Sequence, residues 1–351
     1  MAARGRDVIA AHAASPPLGL GILGTGYIGA QFAAGVADSP AVRVTAVASR
    51  TEASASAFAR RFDLAQAHAS YEALLEDPAV DAVYIGLPNS LHAEWTLRAA
   101  ACGKHVLCEK PLATGRVEAA AMFAAARRGG VVLLEAFPYC FQPQTIESLR
   151  RIHAGELGSI RVVQASLGFS VTKPDSIRLN RDLAGGALLD AGCYPVSFAR
   201  LVHGARPIDV DATSQWGPTG VDLTTVATLR YPGGGVAQIA CSIVTSLYRE
   251  AVVLGSDGVI ETPYSNHTAP DRPALFREKR GIGWDAAFDE VASGSGNGFR
   301  FEVEAFARMV RGDAPGEAAA WEAISLDNAA TLEAILESAR SSKRVVVGPI
   351  S

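Results

Sequence analysis

Cysteine is scarce in this chain and lacks any paired pattern. Cys102, Cys108, Cys140, Cys193 and Cys241 form no Cys-x-x-Cys and are odd in number. That argues against a disulfide framework or a zinc site and fits a reducing compartment. An excess of one charge is also missing. The net charge is −4 with both signs interspersed, and no basic stripe runs through the sequence. Nucleic acid and anionic membranes are therefore not expected partners. No long apolar run occurs either. Between Val8 and Ala37 there is no Lys, Arg, Asp or Glu, and Arg4 and Arg6 precede this stretch like the start of a signal peptide. His12, Pro16 and Pro17 interrupt it, however, Val8–Ala11 is too short for a signal core, and Arg4-Gly5-Arg6 is not a twin-arginine pair. Residues 1–17 are read as a disordered extension, and the protein is expected to be cytoplasmic.

What is present is a globular composition, 49% hydrophobic and 19% charged over 351 residues. That length exceeds one ordinary hydrophobic core, so two domains are expected. Strands and helices alternate from Leu18 to Phe137. Strands are predicted at Leu18–Leu23, Val42–Ala48, Val80–Leu87, Lys104–Glu109 and Val131–Glu135, with helices between them. This alternation is the pattern of a doubly wound parallel α/β sheet, assigned to residues 18–137. After Phe137 extended runs follow one another with few intervening helices. Residues 138–351 are therefore expected to form an α/β domain with a largely antiparallel open sheet, which binds substrate and makes the oligomer contact. Pro263–Gly298 is rich in Gly, Pro, Ser and Asp and reads as surface loops.

Four stretches carry chemistry. Gly24-Thr25-Gly26-Tyr27-Ile28-Gly29 lies between a strand and a helix, the context in which Gly-x-Gly-x-x-Gly holds a dinucleotide pyrophosphate. The tip of the second strand carries Ser49-Arg50 where an NAD-specific fold places a ribose-binding acid. A hydroxyl and a guanidinium suit a 2′-phosphate, so NADP is the expected cofactor. In the alternative, Arg50 caps the sheet edge, Glu52 takes the ribose and the cofactor is NAD. Pro88-Asn89-Ser90-Leu91-His92 ends the third long strand, with Pro88, Asn89 and His92 as candidate cofactor contacts and Ser90 as the expected N-cap of the next helix. Glu109-Lys110-Pro111 ends the fourth, where Pro111 keeps Lys110 out of helical geometry at the carboxyl edge of the sheet.

In the second half, Gly185-Gly186 opens a helix expected to run to about His203 and to be kinked by Pro195. Asp190 and Tyr194 are four residues apart and face one way. They offer an orienting carboxylate and a proton-transferring phenol, whose pKa a neighbouring Lys110 would lower. Taken alone, a helix-start Asp and a core Tyr explain them as well.

Together, Glu109-Lys110-Pro111, the glycine motif at 24–29, Pro88–His92 and Asp190-x-Gly-x-Tyr194 resemble the Gfo/Idh/MocA family of NAD(P)-dependent oxidoreductases. The resemblance implies a Rossmann domain, followed by an α/β domain whose open sheet often makes the subunit interface in a homodimer or homotetramer. It implies Lys110 and Tyr194 as the catalytic pair with Asp190 close by, Glu109 and Lys110 at the cofactor, and no metal. Tyrosine at 194, where many relatives carry histidine, resembles the branch of glucose–fructose oxidoreductase, NADP-dependent xylose dehydrogenase and dihydrodiol dehydrogenase. The implied substrate is a sugar or related polyhydroxylated ring. Two residues depart from near relatives: Cys140 stands in place of Arg, and Gln142 in place of His. Two other readings stay open. Arg178 and Arg181 would suit a nucleotide-sugar ketoreductase. A protein that senses NADP(H) without turnover would have no use for Lys110, Asp190 and Tyr194 together.

Overall fold

A computed structural model describes residues 16–348, so most of the expected disordered extension, residues 1–15, lies outside the described residues. The first half forms β1 (Leu18–Leu23), α1 (Tyr27–Val36), β2 (Val42–Ala48), α2 (Glu52–Phe62), β3 (Gln66–His68), α3 (Tyr71–Leu75) and β4 (Ala82–Ile85). It continues with α4 (His92–Ala101), β5 (His105–Glu109), α5 (Arg116–Gly129) and β6 (Leu133–Ala136). All six strands are parallel, in the order β3-β2-β1-β4-β5-β6. Strand order reverses between β1 and β4, and the crevice outside their carboxyl ends is where such sheets bind ligands. The apolar runs fit this sheet because helices cover both of its faces: Leu20, Ile22, Val83 and Val106 are fully buried.

One local expectation fails. Ser90 does not cap α4; residues Asn89–Leu91 form a 3-10 turn, and the residue before α4 is Leu91, with no side-chain cap. The short turn carries the chain across the top of the sheet before the α-helix begins.

The second half begins with α6 (Pro143–His153) and β7 (Ile160–Ser170), then, after a π turn, α7 (Cys193–His203). Next come β8 (Asp209–Trp216), β9 (Asp222–Arg230), β10 (Val236–Ser242), β11 (Val244–Gly255), β12 (Gly258–Thr262), β13 (Ala274–Arg280) and β14 (Asp289–Ser293). The chain closes with α8 (Gly298–Arg311), α9 (Glu317–Ser341) and β15 (Val345–Val346). These strands form one nine-stranded sheet, β14-β13-β12-β11-β7-β10-β9-β8-β15, antiparallel except where β7 meets β10. The loop expectation for Pro263–Gly298 is corrected here, since β13 and β14 lie inside it as an edge hairpin. On β13 the buried Ala274, Phe276 and Glu278 alternate with exposed Leu275 and Arg277, a half-buried edge pattern masked by its charged residues and the Gly-rich turns around it. The last helices also reach back to the first sheet, α8 against α1 and α9 against α5 and β6. Leu20, Tyr84, Phe299 and Val253 accordingly belong to one continuous core.

Candidate active site

The glycine motif turns sharply between β1 and α1. Gly24 has a φ of +104°, open to glycine at little cost, and a side chain at Gly29 would meet the Gly24 carbonyl oxygen at 2.6 Å. At Gly26 a Cβ would find nothing within 4 Å, so open space lies over the N-terminus of α1, and no side chain caps that end. Free backbone N–H groups facing open space are what a pyrophosphate needs. The cleft they open encloses about 550 Å³. Gly24, Gly26, Tyr27, Ile28, Ser49, Arg50, Pro88, Asn89, His92, Glu109, Lys110 and Asp190 all line it. Ser49 Oγ lies 3.4 Å from Thr25 Oγ1, and Arg50 is exposed at the rim. Tyr71, Ile177, Arg178 and Leu183 line the cleft as well, and no motif had singled out Tyr71, Ile177 or Leu183.

Two of the expected contacts are also engaged with the protein itself. Asn89 Nδ2 donates to the Ala184 carbonyl at 2.9 Å, which ties the tip of β4 to the segment before the π turn. His92 is fully buried, with its ring nitrogens 2.9 Å from the carbonyls of Pro111 and Leu87. Burial holds its pKa below the usual histidine value. The neutral ring carries one N–H and donates to one of these carbonyls at a time, bracing the ends of β4 and β5.

Lys110 sits where β5 stops, and its peptide bond to Pro111 is cis. Its ammonium donates to the Asp190 carbonyl at 2.7 Å and to Asp190 Oδ1 at 3.4 Å, and lies 4.9 Å from the centre of the Tyr194 ring. The fold thus brings Lys110, Asp190 and Tyr194 together across 80 residues of chain. Asp190 lies in a π turn, Leu188–Gly192, rather than in the expected regular helix. Pro195 has no N–H to give to the carbonyl four residues back, and the helix meets that deficit with the wider turn. The other Asp190 oxygen, Oδ2, accepts from Arg178 Nε at 2.5 Å. Arg181 is elsewhere, in a separate surface hollow with Asp175 and Asp182.

Burial works to raise the Asp190 pKa, but Lys110 and Arg178 outweigh it, and the carboxyl titrates below its usual value. Burial likewise works to lower the Lys110 pKa; Asp190 and the phenol of Tyr194 reverse this and hold it above the usual lysine value. At Tyr194 the balance runs against expectation. Burial raises the phenol to about 12, and the lowering by Lys110 only partly offsets it. The hydroxyl of Tyr194 accepts from Asn266 Nδ2 at 3.0 Å and keeps its proton free to donate. Asn266 belongs to the stretch read as loops, and nothing in the local sequence marked it.

Glu109, behind Lys110, accepts from the Tyr84 hydroxyl at 2.6 Å and from the Lys110 N–H at 3.2 Å. Burial raises its pKa, and Lys110 and Tyr84 partly offset the rise. Glu135 at the end of β6 accepts from the Leu112 N–H at 2.8 Å, and burial pushes it up to about 7. Among the described residues no group of three or more His, Cys, Asp or Glu side chains could hold a metal ion, and no helix is long and apolar enough to cross a membrane.

Comparison with known proteins gives a concordant result. Residues 18–137 match the Gfo/Idh/MocA oxidoreductase family with its NAD-binding Rossmann fold, and residues 147–261 match a C-terminal domain of the same family. The chain is 38% identical over 327 residues to a D-xylose 1-dehydrogenase (NADP(+)) of Haloferax volcanii, covering 93% of this chain and 98% of that one. It is 36% identical over 247 residues to a trans-1,2-dihydrobenzene-1,2-diol dehydrogenase of Danio rerio, covering 69% and 73%. A 3-ketoreductase from Actinomadura kijaniata, solved in complex with NADP and TDP-benzene, superposes with a TM-score of 0.84 at 32% identity, covering 92% and 98%. With both halves of the chain matched in order and a relative this similar over nearly its whole length, the protein belongs to the Gfo/Idh/MocA oxidoreductases.

Proposed function

We propose that this protein is an NADP-preferring oxidoreductase acting on the CH–OH groups of a sugar or related polyhydroxylated ring, with Lys110, Tyr194 and Asp190 as its catalytic set. The observation that carries this reading is that Lys110, which lines the dinucleotide cleft beside Asp190, holds its ammonium 4.9 Å from the centre of the buried Tyr194 ring. NADP(H), when bound, would supply the hydride chemistry. The chain's own residues handle the proton. Because its pKa stands at about 12, Tyr194 carries its proton at neutral pH and donates it to the oxygen of a carbonyl undergoing reduction. Oxidation follows the microscopic reverse. Lys110 supplies positive charge beside the developing alkoxide, and Asp190, bonded to Lys110 and Arg178, holds both cations in place. Ser49 and Arg50 would hold the 2′-phosphate of the cofactor and the N–H groups at 26–29 its pyrophosphate, with Pro88, Asn89, His92 and Glu109 as the remaining cofactor contacts along the cleft.

The xylose dehydrogenase and dihydrodiol dehydrogenase relatives support oxidation of a ring hydroxyl. A nucleotide-sugar ketoreductase is the second reading, favoured by the likeness to the 3-ketoreductase and by Arg178 in the cleft wall. A panel of aldoses, inositols, dihydrodiols and nucleotide keto-sugars, followed by NADPH absorbance in both directions, separates the two. Turnover of nucleotide keto-sugars alone would install the second reading, and no turnover of any would remove both.

The chain divides on this reading at Phe137 into a cofactor domain, 18–137, and a domain for substrate and assembly, 138–351. The face of the nine-stranded sheet away from α7 exposes Val226, and Leu247 and Tyr248 are exposed at the start of β11, which supports a homodimer or homotetramer. Sedimentation at micromolar concentration is expected to give a multiple of 36.6 kDa, and a monomer would refute the assembly. Five free cysteines support a cytoplasmic setting.

A further inference from the structure

Among the described residues, Arg249 also lies beside Tyr194, and proton transfer by Lys110, Asp190 and Tyr194 makes no use of its charge. Along β11 the side chains of Ala251 and Val253 turn inward and are buried, and by strand alternation Arg249 turns the same way. There its guanidinium meets three tyrosine rings, 4.5 Å from the centres of Tyr194 and Tyr264 and 5.5 Å from that of Tyr139. Ring faces attract a cation but offer no hydrogen-bond acceptor in the guanidinium plane. The hydroxyls are occupied elsewhere: Tyr139 donates to Ser197 Oγ at 2.9 Å, Tyr264 donates to the Ser166 carbonyl at 2.8 Å, and Tyr194 is bonded to Asn266. Arg249 Nε and Nη2 are buried without a hydrogen-bond partner among the described residues, as is Oδ1 of the adjoining Asn266.

Burying charged donors without partners carries a desolvation cost. Tyr264 adds to the cost, since its φ of +32° is unfavourable for an aromatic residue and yet sets its ring against Arg249. Unpaired donors held by a strained wall, beside the phenol that moves the proton, describe a binding site completed by its ligand. Nε and Nη2 form one edge of the guanidinium fork, which matches two adjacent oxygens.

We propose that Arg249 is a substrate-recognition residue whose Nε–H and Nη2–H donate to two vicinal hydroxyl oxygens of the substrate ring, next to the carbon that reacts at Tyr194. This rests on the polyhydroxylated-ring reading and narrows it, because the preferred substrates must carry a vicinal diol beside the reacting position.

The test uses the full chain with Arg249→Lys, which keeps the charge and loses the fork, and Arg249→Met, which loses both. With D-xylose and its monodeoxy derivatives, Arg249→Lys should raise KM roughly 10–100-fold with kcat within about twofold, the scale of a lost charged hydrogen bond. At least one deoxy sugar should show no difference between variant and parent. NADP affinity should be unchanged in both variants. An activity-independent readout is the near-UV difference spectrum on adding cis-1,2-cyclohexanediol, because the ligand would settle among three tyrosines. The parent should respond and Arg249→Met should not. Equal loss on every sugar, unchanged KM, or a diol spectrum that persists in Arg249→Met would overturn the proposal. A response to acetate and not to the diol would replace the hydroxyl pair by a carboxylate and overturn it in this form. If the parent turns over no sugar yet gives a diol spectrum that needs Arg249, the sugar reading has failed and this inference has survived. If Arg249→Met does not fold, Arg249→Lys alone decides the matter by both readouts.

Discussion

Two cations lie against the ring of Tyr194, in opposite electrostatic settings. Lys110 binds both the carbonyl and the carboxylate of Asp190, which in turn holds Arg178. Arg249 is equally close to the ring but leaves two N–H donors without partners. The first cation is finished within the protein, and its position does not depend on a ligand. The second is complete only when something else enters. In a site that must hold its proton-transfer group rigidly and still accept a substrate, this is a sensible division: charge networks that are fully bonded preorganise, and unpaired donors discriminate.

The largest expected effect tests the finished side. Tyr194→Phe keeps the aromatic face that both cations touch and removes only the hydroxyl. Turnover should fall roughly 10²–10⁴-fold, the usual scale for a positioned proton donor, while NADP affinity barely moves and stability drops only by the roughly 1–3 kcal/mol of leaving Asn266 Nδ2 without its acceptor. Near-full activity would dismiss Tyr194 as the acid. Because the parent phenol stays protonated to about 12, the kcat profile for carbonyl reduction should show no tyrosine limb from roughly pH 6 to 9, while that for oxidation, which needs the phenolate, should rise with pH across the same range. Lys110→Ala should push the phenol higher still, since the ammonium is the largest influence lowering it.

The next effect concerns the cofactor end. Arg50→Ala should weaken NADP by roughly 1.5–3 kcal/mol, the value of a charged hydrogen bond, and leave NAD affinity nearly unchanged. Equal loss for the two cofactors, measured by fluorescence titration, would move the 2′-phosphate away from Arg50.

How much of this could be read beforehand follows the same division. The cofactor end is local in sequence: residues 24–29, 49–50, 88–92 and 109–110 each sit at one strand tip, so pattern and spacing sufficed. Five of the six parallel strands were legible for the same reason, since each βαβ unit repeats one hydrophobic rhythm; β3, three residues at the sheet edge, is too short to show it and was missed. The substrate end is assembled from α7, β11 and a connection after β12, and nothing local marks Asn266 or Arg249 as neighbours of Tyr194. The direction of the Tyr194 shift also lay beyond sequence. It depends on a contest between burial and one ammonium, and burial follows from the whole fold. The β13–β14 hairpin escaped because edge strands carry charges that resemble loop composition.

The smallest effect sharpens the contrast between finished and unfinished charges by removing a deficit unrelated to substrate. Glu302 on α8 is fully buried, and neither carboxyl oxygen has a hydrogen-bond partner. Burial, with Glu109 nearby, raises its pKa well above the usual carboxylate value, so the folded protein favours the protonated form of this group more than the unfolded chain does. In the unfolded chain Glu302 ionises near the usual value. The folded state therefore binds the extra proton, and stability from this group is full below the unfolded pKa and declines as pH rises toward the folded one. Glu135, pushed up to about 7, acts in the same direction. Met fills a similar volume without polar atoms. Glu302→Met should therefore raise stability at neutral pH by about 1–3 kcal/mol and flatten the decline between acid and neutral pH, with kcat and KM unchanged. Denaturant unfolding at several pH values reads both. A loss of stability would mean that the carboxyl has a partner, and a change in KM would extend the unfinished side of the site to α8.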